Sequence, residues 1–181
     1  MLEKRIDWET LWMTMALTVA QRSIDPSTKH GCIIVDNKNR LISIGYNSFP
    51  RQCIEGSLPL TRPEKYMAII HSETNAIINA GDRDLEGSTV YVTGHPCVNC
   101  FGNMLNAGVA KIIYGPVGSH CLDKEHIILI QKMNISSKTL ENKIQIVKYE
   151  DVADIGQIKE FLEQVEKYTD EKINRKDLIN G

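Results

Sequence analysis

A chain of 181 residues with 42% hydrophobic side chains is long enough for one compact domain with a full core and too short for two comfortable ones. Its formal net charge of -2 and pI near 6.2 leave no electrostatic footprint for wrapping nucleic acid, which favours a small-molecule substrate. Met1-Leu2-Glu3-Lys4-Arg5 runs into a charged amphipathic segment and not into an apolar signal region, and no stretch approaches bilayer length.

In chain order, Asp7 can cap a first helix from Trp8 to Ser23, where Leu11, Met15, Thr18, Val19 and Arg22 follow a helical period. Asp25-Pro26-Ser27 stops it. Gly31 to Val35 reads as a strand, Asp36-Asn37-Lys38-Asn39 as a hairpin turn, and Leu41 to Asn47 as the return strand. From Ser48 to Pro63, three prolines and a glycine interrupt any period, so a long surface loop is expected, with Arg62 to Tyr66 opening a helical turn. A helix follows from Ile70 to Ala80, ended by Gly81, then a central strand from Ser88 to Thr93. Cys97 to Ala107 is the next helix and Val109 to Tyr114 the next strand. A helix from Asp123 to Met133 and a strand from Lys143 to Tyr149 complete an α/β alternation over residues 1–150.

Residues 151–181 are expected to be a C-terminal helix and tail attached to that one domain. Ile155, Ile158, Phe161, Leu162, Val165 and Tyr168 stand at helical spacing, as a helix packed on the domain or on a neighbouring subunit, and the polar tail from Glu171 to Gly181 is expected to fray.

The chemistry is concentrated between His71 and Cys100. His71-Ser72-Glu73 is followed by Pro96-Cys97-Val98-Asn99-Cys100, and one imidazole with two thiolates is a zinc ligand set that leaves a fourth position for water. That is the pattern of a catalytic site and not of a structural one. Glu73, two residues after His71 at a helix start, can reach that water without reaching the metal and can move its proton. Histidine-x-glutamate joined to Pro-Cys-x-x-Cys is the signature of zinc deaminases. The N-terminal amides of the second helix favour the thiolate form of both cysteines, and backbone groups around Gly94 and His95 are placed to read an exocyclic amine. Cys32, Cys53 and Cys121 remain, an odd number that suggests no disulfide framework and points to a reducing, cytoplasmic compartment.

Four stretches resemble the zinc-dependent cytidine and deoxycytidylate deaminase superfamily, over about Trp8 to Tyr114. They are Ala20-Gln21-Arg22-Ser23-x-Asp25-Pro26, Gly45-Tyr46-Asn47-x-x-Pro50, His71-Ser72-Glu73-x-Asn75-Ala76-Ile77, and Tyr91-Val92-x-x-x-Pro96-Cys97-x-x-Cys100. The resemblance implies a three-layer α/β/α fold, a five-stranded mixed sheet with helices on both faces. It implies that His71, Cys97 and Cys100 hold one zinc ion, that Glu73 shuttles protons, that Asn47 bonds the sugar, and that Arg22 and Ser23 lie near a substrate phosphate. The nucleotide-using branch that these stretches resemble converts dCMP to dUMP. Its members are often hexamers regulated by deoxynucleoside triphosphates with Mg2+, which here implies a regulatory pocket at Gly45, Tyr46, Asn47 and Pro50, with Ser48 in place of a glycine. Ser72 likewise stands where alanine is usual.

Other readings stay open. The metal site alone does not choose the base, so another nucleotide or nucleoside (dCTP, cytidine, an adenine nucleotide) or a tRNA adenosine is an alternative target, although the charge balance offers no basic rim for RNA. A silent zinc- or nucleotide-binding subunit is the alternative from another class. His30, His120 and His126 read as solvated or locally bonded, and Trp8, Trp12 and Met15 as core or subunit contact.

Overall fold

The computed structural model describes residues 5–54, 56–118, 123–136 and 143–172. The expectations for His120, Cys121 and the polar tail beyond Lys172 fall outside these residues.

Strand β1 (Gly31–Val35) is buried at every position, the pattern of a strand covered on both faces. Its hairpin partner β2 (Leu41–Tyr46) pairs antiparallel through a turn in which Asp36 Oδ1 accepts the N–H groups of Lys38 and Arg40 at 2.8 and 2.9 Å. Asn39 takes the left-handed conformation there, φ 59°, which asparagine tolerates. Strands β3 (Thr89–Val92), β4 (Lys111–Tyr114) and β5 (Gln145–Lys148) extend the sheet in the order β2-β1-β3-β4-β5. β1 and β3 run antiparallel, while β3, β4 and β5 run parallel, so the sheet is mixed and five-stranded as expected.

Helices cover both faces. On one, α3 (Ser72–Ala80), α4 (Val98–Asn106) and α5 (Lys124–Ile135) bury Ala76, Ala80, Phe101, Met104 and Ile130 against Cys32, Ile34, Val90, Val92 and Ile112. On the other, α1 (Trp8–Ala20) and α6 (Ile155–Lys172) bury Trp12, Met13, Ala16 and Ile158 against Ile33, Val35, Tyr91 and Ile113. The alternation along each strand, Cys32 and Ile34 to one side and Ile33 and Val35 to the other, is the two-residue period of the pleat.

Several boundaries differ from expectation for local reasons. Helix α1 ends at Ala20, because Arg22 and Ser23 bond back to Val19 and Ala20 as a turn. The metal-bearing helix begins at Ser72 and not Ile70, because Ile70 exchanges backbone hydrogen bonds with Ser48 at 2.8 and 3.1 Å and leaves His71 extended as the N-cap. The helical turn before it is α2 (Lys65–Ala68). Helix α4 closes on Gly108, φ 78°, with the Val109 N–H returning to the Met104 carbonyl.

Of the tryptophan pair, Trp12 is core and Trp8, stacked on it at 5.6 Å, stays half exposed. Helix α6 is held near its start, where Gln157 Oε1 accepts from Thr10 Oγ1 at 3.1 Å and Ile158 is buried. Further along, Leu162, Val165 and Tyr168 are exposed in the single chain.

Candidate active site

Two helix starts meet at one end of β3. The chain leaves β3 through Thr93, Gly94, His95 and Pro96 and enters α4 with Cys97 as N-cap, its Sγ accepting the Cys100 N–H at 3.4 Å. His71 is the N-cap of α3, in extended conformation and with no side-chain bond to its own helix. Its Nδ1 lies 3.4 Å from Cys97 Sγ and 3.5 Å from Cys100 Sγ, and the three ligand atoms all fall within 4.8 Å of one another. Tetrahedral zinc, with Zn–N near 2.05 Å and Zn–S near 2.3 Å, requires nitrogen–sulfur separations of about 3.5 Å. The triangle therefore fits zinc in both donor type and spacing.

The electrostatics agree with a site built for a cation. Hydrogen bonding from Cys100, helped by His71 and opposed by burial, holds Cys97 far down as a thiolate, whereas the same bond together with burial pushes Cys100 up. His71 is raised, first by its hydrogen bond to Cys97 and against the effect of burial. In the metal-free chain a proton is thus shared where a divalent ion would bind.

Glu73, in the first turn of α3, is buried, and that burial raises its carboxyl above the ordinary range against the opposing pull of its own backbone N–H, of His71 and of Ser72. A buried carboxyl shifted upward in this direction is better able to hold and return a proton than an exposed one. Two hydroxyls flank it in sequence. Ser72 Oγ donates to Glu73 Oε2 at 2.9 Å, and Thr74 Oγ1 lies 3.7 Å from Cys100 Sγ while accepting from Asn103 Nδ2 at 3.3 Å.

His71, Glu73, Cys97, Gly94, His95 and Asn47 line one cleft, so the structure brings together most of the residues singled out from the sequence. A Cβ on Gly94 would stand 2.7 Å from the His30 ring, so only glycine fits there. His95 Nδ1 donates to the Pro96 carbonyl at 2.9 Å, its ring meets Tyr114 edge-on at 4.9 Å, and burial lowers its pKa, leaving a neutral ring with Nε2 as acceptor. Asn47 is buried and already engaged. Its Oδ1 accepts from the His30 N–H at 2.7 Å and its Nδ2 donates to the Thr28 carbonyl at 3.0 Å, which fixes the segment before β1.

Arg22 and Ser23 do not join this cleft. Ser23 is buried, with its hydroxyl donating to the Asn47 carbonyl at 2.8 Å and accepting the Asp25 N–H at 3.1 Å, so it serves the turn and not a ligand. Arg22 lines a second cleft with Tyr46, Ser48, Pro50 and Arg51. Asn47 belongs to the first cleft, not to this one. Gly45 lines neither, because it is needed for packing. A Cβ there would fall 2.2 Å from the Ser72 carbonyl oxygen and 2.4 Å from the Ala76 nitrogen.

The sequence left out the far wall of the active cleft, made by Asp25, Thr28, His30, Arg62, Lys65 and Tyr66. His30 bonds Thr93 Oγ1 through Nδ1 at 3.1 Å and is not simply solvated. The antiparallel pairing of Cys32 with Val92 is what sets the start of β1 beside the end of β3. Arg62 lies over the Tyr66 ring at 5.4 Å, and Lys65 Nζ reaches Asp25 at 2.8 and 3.1 Å. Their signal in the sequence was only a run of charge beside proline, which is ordinary for a loop.

Comparison with known proteins agrees with this geometry. The cytidine and deoxycytidylate deaminase zinc-binding region matches residues 6–116. The chain is 34% identical over 120 residues to a probable deoxycytidylate deaminase of Drosophila melanogaster, covering 60% of this chain and 59% of that protein. It is 35% identical over 115 residues to the deoxycytidylate deaminase of Homo sapiens, covering 60% of this chain and 65% of that one. The matches thus span less than two thirds of these relatives' own length. The crystal structure of dCMP deaminase from the cyanophage S-TIM5 in complex with dCMP and dUMP superposes with a TM-score of 0.60 at 22% identity, covering 81% of this chain and 99% of that one, a likeness of fold.

Proposed function

The chain belongs to the cytidine and deoxycytidylate deaminase zinc-binding family, and from that premise we propose that it hydrolyses dCMP to dUMP and ammonia. The observation that carries this reading is the His71, Cys97 and Cys100 triangle opening on the same cleft as a buried Glu73. The relatives' names supply the substrate.

His71, Cys97 and Cys100 hold the zinc, which when bound supplies Lewis acidity that lowers the pKa of water toward about 7. Glu73 takes the proton of the attacking water, delivers it to ring N3, and then assists departure of the C4 amine, so one carboxyl serves as base and then as acid. Backbone groups at Gly94 and His95 read the amine. Asn47 has one amide proton and one lone pair beyond its two backbone bonds, enough to meet the sugar. For the 5′-phosphate we assign Arg62 and Lys65, the cations that line this cleft among the described residues, in place of Arg22 and Ser23. Lys65 directs two contacts to Asp25 and retains a third donor.

The second cleft, with Arg22, Tyr46, Ser48, Pro50 and Arg51, is our candidate for a regulatory deoxynucleoside triphosphate with Mg2+. A homo-oligomer, with a hexamer favoured, and a cytoplasmic location complete the proposal.

A panel of cytosine and adenine nucleosides, monophosphates and triphosphates, followed for ammonia release, tests it. dCMP is expected to give the highest kcat/KM, and Arg62→Ala to raise its KM more than Arg22→Ala does. Free nucleosides outpacing monophosphates would overturn the phosphate assignment. A preference for adenine nucleotides would overturn the substrate.

A further inference from the structure

Ser72 and Glu73 are consecutive residues in the first turn of α3, and neighbours in a helix do not ordinarily face each other. Here they do. Ser72 Oγ lies 2.9 Å from Glu73 Oε2, with Ser72 fully buried and Glu73 only 5% exposed. A hydroxyl has one proton to give, and a carboxylate can only accept, so the bond runs from serine to Oε2. Such a bond to a charged acceptor in a dry site is among the stronger ones.

The serine is itself fixed from behind. Its carbonyl oxygen packs so closely on Gly45 of β2 that a Cβ there would approach it to 2.2 Å, and Ser43 Oγ donates to the Ala76 carbonyl at 2.7 Å one turn further along α3. The hydroxyl is therefore held on a helix that is anchored to the sheet at two levels. Alanine at this position would keep the helix and lose the bond.

We propose that Ser72 is a positioning residue for deamination: by holding Oε2 of Glu73 it sets the carboxylate plane and leaves Oε1 as the oxygen that carries the proton between water, ring N3 and the leaving amine. The inference rests on the deaminase reading of the same site. It adds that this chain has built a second constraint on its proton shuttle beyond the backbone of α3.

Ser72→Ala is the direct test, because it removes one atom from a buried site. Loss of one hydrogen bond to a charged group predicts a fall in kcat of about 10- to 100-fold. KM for dCMP, affinity for the product dUMP and bound zinc per chain should stay within about twofold, since none of these uses the orientation of Oε1. Affinity for a hydrated 2-pyrimidinone deoxynucleotide, which mimics the tetrahedral adduct, should fall by the same factor as kcat. Ser72→Cys, of similar shape but a weaker donor, should lie between. Crystal structures of the wild-type and Ser72→Ala proteins read the geometry without turnover, with the Glu73 carboxylate expected to rotate or take two orientations in the variant. A Ser72→Ala enzyme whose kcat stays within twofold of wild type, or whose carboxylate keeps a single unchanged orientation, overturns the proposal. If the wild-type protein deaminates nothing in the nucleotide panel, the function reading has failed, and the carboxylate orientation in the two crystals still decides the role of Ser72.

Discussion

Lys65 Nζ sits 2.8 Å from Asp25 Oδ1 across 40 residues of sequence, with both side chains withdrawn from solvent. The pair ties the turn after α1 to the turn before α3, and so joins two parts of the cleft wall. Asp25 Oδ1 also accepts the N–H groups of Ser27 and Thr28 at 2.8 and 3.2 Å. Burial alone would raise the Asp25 carboxyl, but Lys65 and these amides outweigh it and the pKa is lowered below 3.8.

Asp25→Asn leaves a buried ammonium without its counter-charge and is expected to cost about 3–5 kcal/mol in urea unfolding at pH 7. Because the folded-state pKa is depressed, the contribution of Asp25 is complete above 3.8 and is lost as pH falls through the lowered value. The stability gap between wild type and variant should therefore hold from pH 7 to 5 and narrow below about 4. A gap that does not change with pH would show that the pair is not the source.

Gly45→Ala would drive a methyl group into the backbone of α3, against Ser72 and Ala76. The expected loss is at least about 1–3 kcal/mol of stability, as for other overpacked sites. Activity should fall as well, since the same helix starts at His71 and carries Glu73. Thermal unfolding and kcat measured on one preparation check both, and a stable, active alanine variant would refute the packing argument.

Thr74→Val preserves shape and removes the hydroxyl that faces Cys100 Sγ. Asn103 donates to that hydroxyl, and once Cys100 is a metal-held thiolate, which can only accept, the Thr74 proton is the one available to the sulfur. Zinc affinity, measured by competition with a chromophoric chelator, should weaken by about tenfold, as for other groups that support metal ligands from behind.

Glu73→Gln keeps the volume and removes the proton carrier. Turnover should drop by about 10²–10⁴-fold or more while zinc content, read by elemental analysis, stays at the wild-type level. A variant that loses its metal would place Glu73 among the ligands.

Loading the metal-free protein with zinc at pH 7 in weak buffer should release about one proton or more per ion. Cys100 is held protonated by Cys97 and by burial, and His71 is raised by its bond to Cys97, so the entering ion displaces protons. The apparent zinc affinity should fall as pH falls. Proton uptake on loading would contradict this arrangement of the donors.

The His71, Glu73, Cys97 and Cys100 set was legible in the sequence because short-range spacing encodes it. Each half of the motif sits at a helix start, and zinc admits few donor types and one geometry. The strands were legible too, since a buried pleat repeats every two residues, as Cys32 to Val35 do. What the sequence could not supply was which strand lies beside which. The antiparallel pairing of β1 with β3 brings His30 to Gly94, and the chain's return from Ser48 to Ile70 brings Lys65 to Asp25. Those contacts line the cleft with Arg62 and Lys65 and leave Arg22 and Ser23 outside it, while Gly45 packs against α3. Local spacing determines which side chains can share a metal ion, whereas the far side of a cleft is built by residues whose proximity comes only from closing the sheet.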